Sequence, residues 1–228
     1  SLKAAGIQSI HPLVDIVNFV MLESGQPMHV FDQDKIEGDI EVRFAKSKEK
    51  IKILGEKNLK LTKDCLVIAD KKAPIAFAGI SGGINHSVSK KTRNFIIESA
   101  FFDPSTIKGK ARRYGFQTDA SQRFERGVDF NLHEDSLKEV ILIIKEIFQA
   151  DISKIETTKN KYFPKKKLIS ISLEDVNQKL GTNLKENTIK SILNRLEIKL
   201  IKKNKNNLSF EVPSHRFDLS IKEDLIEE

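Results

Sequence analysis

His29 is the first residue of this chain whose type and setting could do chemistry. It lies in Gly25-Gln26-Pro27-Met28-His29-Val30-Phe31-Asp32, and the eighteen residues from Asp15 to Asp32 also hold the Asn18 amide and the carboxylates of those two end residues. An imidazole that titrates near neutrality can serve as an acid, a base or a reader of hydroxyl groups. Glu98 is the second such residue, an anion inside the apolar run Asn94 to Phe102. Alternation puts it on one face with Ile96 and Ala100, half-buried and in need of a partner. A desolvated Glu beside a His makes a polar reader in an apolar pocket.

Three further groups carry competing readings. Gly79-Ile80-Ser81-Gly82-Gly83 fits the nucleophile-elbow pattern G-x-S-x-G, but an elbow needs a helix directly after its serine. Ile84 to Ser89 has no helical period and is rich in turn formers, so a tight glycine turn beside a pocket is the better reading. Thr118 to Gly127 mixes polar and small residues, which reads as a loop stapled by Arg–carboxylate pairs. Arg112, Arg113, Arg123 and Arg126 fall within fifteen residues and could also fork phosphate or carboxylate groups. Near the end, Asp218, Asp224, Glu227 and Glu228 are hard oxygen ligands that could hold Mg²⁺, or simply the acidic face of a surface helix.

The elements that must position these residues read as α+β. Leu13, Val17, Val20 and Met21 mark a helix that stops near Ser24-Gly25, because Pro27 cannot continue it. His29 then falls on the segment leaving that helix, where loop residues line clefts. Short β-like runs follow at 40–45, 50–54, 65–69, 74–80 and 94–100. Pro104 to Tyr114 reads as a helix stopped by Gly115. Leu137, Val140, Ile141, Ile144 and Phe148 mark a strongly amphipathic helix.

Apolar periodicity lapses between Asp151 and Lys167, where Lys159, Lys161, Lys165, Lys166 and Lys167 surround Phe163-Pro164. A domain boundary belongs there. Beyond it lie a strand (168–171), a helix opened by Ser172 and stopped at Gly181, a second helix carrying Ile189, Ile192, Leu193 and Leu196, and two strands (197–201 and 207–212) joined by a turn over 202–206. Two helices and a hairpin make a winged-helix-like pattern.

Composition narrows the class. The chain has 228 residues, 39% hydrophobic and 31% charged, and no apolar run approaches the roughly 20 residues of a membrane span. That length suits two modest domains. With Cys65 as the single cysteine, neither a disulfide nor a cysteine-based zinc site forms within the chain, and a reducing cytoplasm fits. Cys65 sits in an apolar β-like run, as a buried structural thiol does. The formal charge of +7 is compatible with a polyanionic partner. Nothing reads as a signal peptide, and Ser1 in place of an initiator Met suggests a fragment of a longer chain.

Val14-Asp15 through Asn18, Gly25 to His29 with Phe31-Asp32, Ala78 to Ile80 with Gly82-Gly83, Glu98 to Pro104, and Thr118 to Ser121 with Arg123 to Asp129 together closely resemble the bacterial phenylalanyl-tRNA synthetase beta subunit. The resemblance continues through Leu180 to Thr182, Val212 to Ser214, Arg216 to Asp218 and Glu223 to Glu228. It implies a sheet-rich editing domain with flanking helices over residues 1–160 and a small winged-helix-like α+β domain, truncated at its C-terminal end, over 161–228. Two alpha and two beta subunits of such an enzyme attach phenylalanine to tRNA(Phe) using ATP and Mg²⁺. Aminoacylation chemistry then resides in alpha, and this fragment binds no ATP.

By the same resemblance, His29 and Glu98 line the editing pocket and read the hydroxyl of a mischarged tyrosine, with Asn18 nearby; Gly79, Thr118 and Ala120 are its compact walls. Asp218, Asp224, Glu227 and Glu228 correspond to ligands of Mg²⁺ shared with alpha. A hydrophobic synthetic pocket rejects one added hydroxyl only about a hundredfold, which is why a second, hydroxyl-reading site is useful. Hydrolysis would employ a positioned water, and His29 fits a general base by its ordinary pKa. Two positions depart from the family pattern: Val17 stands where Thr is common, and Ser81 where a bulky apolar residue is usual. The rival expectation is a non-catalytic scaffold that binds tRNA and alpha, with editing decayed.

Overall fold

The computed structural model describes residues 2–158, 161–205 and 207–228; Ser1, Lys159 of the basic stretch and Asn206 of the last turn lie outside the described residues. The architecture is mixed α+β, in two units, Ser1–Lys154 and Ile155–Glu228.

In the first unit, helix α1 (Pro12–Ser24) begins where the His11 ring accepts the Leu13 N–H and Pro12 presets the first turn. It ends at Gly25, whose φ of +83° lets its N–H close on the Met21 carbonyl. Next come β1 (Met28–Asp32), β2 (Glu41–Phe44), β3 (Lys50–Lys52), β4 (Asn58–Lys60), β5 (Leu66–Ala69), β6 (Pro74–Phe77), β7 (Ser81–Gly82) and β8 (Phe95–Ser99). Helical segments α2 (Pro104–Ile107), α3 (Lys110–Arg113), α4 (Asp119–Arg126) and α5 (His133–Phe148) complete the unit.

Among the described residues β2, β5, β6 and β7 form one antiparallel sheet in the order β2-β5-β6-β7, β3 pairs with β4, and β1 pairs with β8. The β1–β8 ladder is a partition between two cores. Val30 on one face packs with Leu13, Ile16, Val17 and Val20 of α1 and Val140 and Ile144 of α5. Phe31, on the other face, belongs to the larger core with Ile53, Val67, Ile75, Phe77 and Phe124. Alternation therefore sends His29, two residues before Phe31, toward the larger core.

Three local expectations are corrected. His29 is not on a loop: it is the second residue of β1, because a partner strand some seventy residues away converts the segment into a ladder. The helix expected over 104–114 is broken into α2 and α3 at Gly109, whose φ is +74°. The stretch read as a stapled loop is helix α4, opened by a reciprocal cap between Thr118 and Ser121.

The second unit contains β9 (Leu168–Ile171), α6 (Leu173–Leu180), α7 (Glu186–Arg195), β10 (Lys199–Lys203), β11 (Leu208–Glu211) and α8 (Lys222–Glu227). Its antiparallel sheet has the order β10-β11-β9. Ser172 caps α6 by accepting the Asp175 N–H, and Gly181 stops it at φ +65°. Ile169, Ile171, Val176, Ile189, Leu193, Ile198 and Phe210 form the core, with Leu225 and Ile226 of α8 closing it.

Candidate active site

The β1–β8 register is Met28↔Ser99, His29↔Glu98, Val30↔Ile97, Phe31↔Ile96 and Asp32↔Phe95. His29 and Glu98 are thus direct cross-strand neighbours, with side chains on the same face. Both line a cavity enclosing about 380 Å³ of empty space, mouth included. Its remaining wall is largely apolar: Pro27 and Met28 on one side, Ile68, Ala76 and Phe77 from the sheet, Gly79 to Gly82 from the turn, and Ala120 and Phe124 from α4.

The two polar groups are perturbed in opposite directions by the same cause. Both residues are half-buried, and of their polar ends the His29 Nε2 is fully enclosed. Burial pushes the His29 imidazole down to about 4 and the Glu98 carboxyl up to about 7. Each shift favours the neutral form, as expected where charge cannot be solvated. His29 Nε2 is buried without a hydrogen-bond partner among the described residues, and the ring meets Phe31 edge-on at 4.6 Å. The lowered pKa also removes the basis for His29 as general base near neutrality.

The other expected residues divide. Gly79 lines the cavity at φ +66°, and a Cβ there would press within 3.0 to 3.3 Å of Phe102, Ile107 and Phe124. Ala120 also lines it, whereas Thr118 acts one step back. Its hydroxyl donates to the Ile80 carbonyl at 2.7 Å and accepts the Ser121 N–H at 3.0 Å, fastening α4 to the glycine turn. Asn18 is not among the cavity-lining residues; it sits on α1, which packs with Val30 on the opposite face of the ladder. Ser81 lines the cavity, but its hydroxyl turns to the Gly82 carbonyl at 3.3 Å, and only a short 3-10 turn follows it.

Sequence reasoning passed over Gly82 as an individual position. Its φ is ordinary, yet a Cβ there would fall 2.2 Å from His29 Nε2, so the glycine is required by close approach of the ring. The Gly82-Gly83 doublet was the available signal.

The four carboxylates expected to hold Mg²⁺ do not converge. Asp218 and Glu228 both bind the Arg216 guanidinium, the former at 2.8 and 3.0 Å, which raises the arginine pKa and lowers that of Asp218. Asp224 accepts the N–H groups of Ser220 (2.7 Å) and Ile221 (3.0 Å) at the start of α8, and Glu227 is exposed. Among the described residues no group of three or more His, Cys, Asp or Glu side chains is placed to hold a metal ion. The donor chemistry suits a hard cation, but this arrangement does not. Of the arginine cluster, Arg113 is taken by Asp64 at 2.8 Å and Arg112 lies 3.9 Å from Glu125.

Two domain families account for most of the chain: residues 1–149 match the B3/4 domain family, and residues 169–228 match the tRNA synthetase B5 domain family. The chain is 42% identical over 235 residues to the phenylalanine–tRNA ligase beta subunit of Idiomarina loihiensis. It is 43% identical over 228 residues to that of Coxiella burnetii and 43% over 229 residues to that of Francisella tularensis. Each match covers the whole of this chain and 29% of the relative, so the chain spans about three-tenths of the length of these proteins. It belongs to the family of bacterial phenylalanine–tRNA ligase beta subunits. Among the described residues no helix is long and apolar enough to cross a membrane.

Proposed function

We propose that the cavity is an editing site, which hydrolyses the ester of tyrosine wrongly attached to tRNA(Phe) by the ligase to which this chain contributes. The observation that carries this reading is the pairing of His29 and Glu98, whose neutral forms burial favours, across one ladder at the wall of an otherwise largely apolar cavity. A phenol ring fits such walls, and its hydroxyl can both donate and accept. Phenylalanine in the same place leaves the buried polar groups unpaired, at about 1 to 3 kcal/mol each. Two such groups amount to discrimination of about 30-fold or more.

His29 and Glu98 are assigned as hydroxyl readers and Gly79 and Ala120 as walls that hold the ring. Holding the ester beside a water supplies rate through positioning. The complete enzyme, with alpha subunits and tRNA(Phe) as partners, performs the ATP-dependent charging. No step here passes through Mg²⁺, because the expected ligands do not assemble. The reading is tested by tyrosine release from tyrosyl-tRNA(Phe) by the complete ligase. His29→Ala and Glu98→Ala should each slow it tenfold or more and leave phenylalanine charging intact; full release by both variants, or none by the unsubstituted enzyme, overturns it.

A further inference from the structure

We infer that Gln26 is the positioning residue for His29 and Glu98: its side-chain amide supplies the ladder hydrogen bond that Pro27 cannot make. Gln26 is fully buried, and its Nε2 donates to the Pro27 carbonyl and to the Ala100 carbonyl, both at 2.9 Å. Continuing the β1–β8 register one step beyond Met28↔Ser99 sets Pro27 opposite Ala100. In an antiparallel pair, rungs that exchange N–H···O=C bonds alternate with rungs that do not. The phase is fixed at the far end, where the Gln33 N–H donates to Asn94, its register partner, at 3.0 Å. Bonded rungs therefore fall at residues 33, 31, 29 and 27 of the first strand.

The rung at 27 needs an N–H aimed at the Ala100 carbonyl, and proline has none. Gln26 fills that place from its side chain, immediately next to the rung that carries His29 and Glu98. Its Oε1 is buried with no partner among the described residues, so donation is what the amide does here. Burial keeps water from replacing the donor. Losing it lets the strand end fray, and the first rung to loosen is His29–Glu98.

For its catalytic readout this inference rests on the editing reading; a second readout is independent of it. The complete ligase is prepared with Gln26→Met, which keeps length and apolar bulk but removes both donors, and with Gln26→Met combined with Pro27→Ala, which returns a backbone N–H to the vacant rung. Amide hydrogen exchange over 28–32 and 95–99 and tyrosine release from tyrosyl-tRNA(Phe) are measured alongside phenylalanine charging. Gln26→Met should speed exchange and slow tyrosine release about tenfold each at unchanged charging, and the added Pro27→Ala should restore most of both. Unchanged exchange in Gln26→Met overturns the inference. So does a loss that Pro27→Ala fails to restore, since packing rather than the donor would then be at work. If the unsubstituted ligase releases no tyrosine, the editing reading falls, and faster exchange in Gln26→Met rescued by Pro27→Ala still upholds Gln26 as the strand-end donor.

Discussion

Gly82 passes so close to His29 that a Cβ on it would lie 2.2 Å from the imidazole Nε2. The ring position therefore depends on a missing side chain. Gly82→Ala should force the ring out of place, destabilise the chain by about 1 to 3 kcal/mol as overpacking does, and slow tyrosine release at least tenfold. Denaturant unfolding and deacylation measure the two effects.

The opposite shifts of His29 and Glu98 fix the sign of a pH effect on stability. His29 titrates at 6.5 when unfolded and about 4 when folded, so its contribution is complete above 6.5 and is lost as pH falls through 4. Glu98 rises from 4.5 to about 7, so its contribution is complete below 4.5 and is lost as pH rises through 7. Between pH 4.5 and 6.5 the two slopes cancel, because the folded pair and the unfolded pair each hold one proton. Glu98→Gln should therefore become more stable as pH climbs from 4 to 6.5, and His29→Gln less stable as it climbs from 4.5 to 7. Each change reaches about 3 kcal/mol at most, at 1.36 kcal/mol per pKa unit. Urea melts across pH check it; parallel slopes in the two variants would contradict it.

Thr118 fastens α4 to the cavity through one hydroxyl. Thr118→Val removes both the cap and the bond to the Ile80 carbonyl, and should cost about 1 to 2 kcal/mol in urea unfolding. Thr118→Ser keeps both and should stay within about 0.5 kcal/mol of the original.

Much of this arrangement was legible in the chain, and the failures have physical causes. The end of α1 could be read because Gly25 and Pro27 act locally. Glu98 could be read as half-buried because a lone anion in an apolar alternating run has few other places to go. Local pattern puts His29 on a loop because β1 exists only through its distant partner β8, which that pattern does not reveal. Helix α4 was missed because it buries only Ser121 and Phe124, leaving little apolar period; its cap, Thr118 with Ser121, was the legible signal. The family resemblance sets Asn18 near His29, yet the ladder stands between α1 and the cavity.

At the C-terminal end, Arg216 already pairs with both Asp218 and Glu228. Calorimetric titration of this chain with MgCl₂ should show no saturable binding at micromolar concentrations. Because the cluster is partly exposed, Arg216→Met should cost no more than about 1 kcal/mol. One Mg²⁺ bound per chain at micromolar affinity would show that the carboxylates can leave Arg216 and converge.

The account stands most directly on selectivity in the cavity. The measurement is the ratio of hydrolysis rates of tyrosyl-tRNA(Phe) and phenylalanyl-tRNA(Phe) by the complete ligase, repeated with Glu98→Ala and His29→Ala. The account predicts a ratio above about 30 that falls about fivefold or more in each variant, since each removes one of the two groups that phenylalanine leaves unpaired. Equal hydrolysis of the two esters by the unsubstituted enzyme, or a ratio untouched by either substitution, would contradict it.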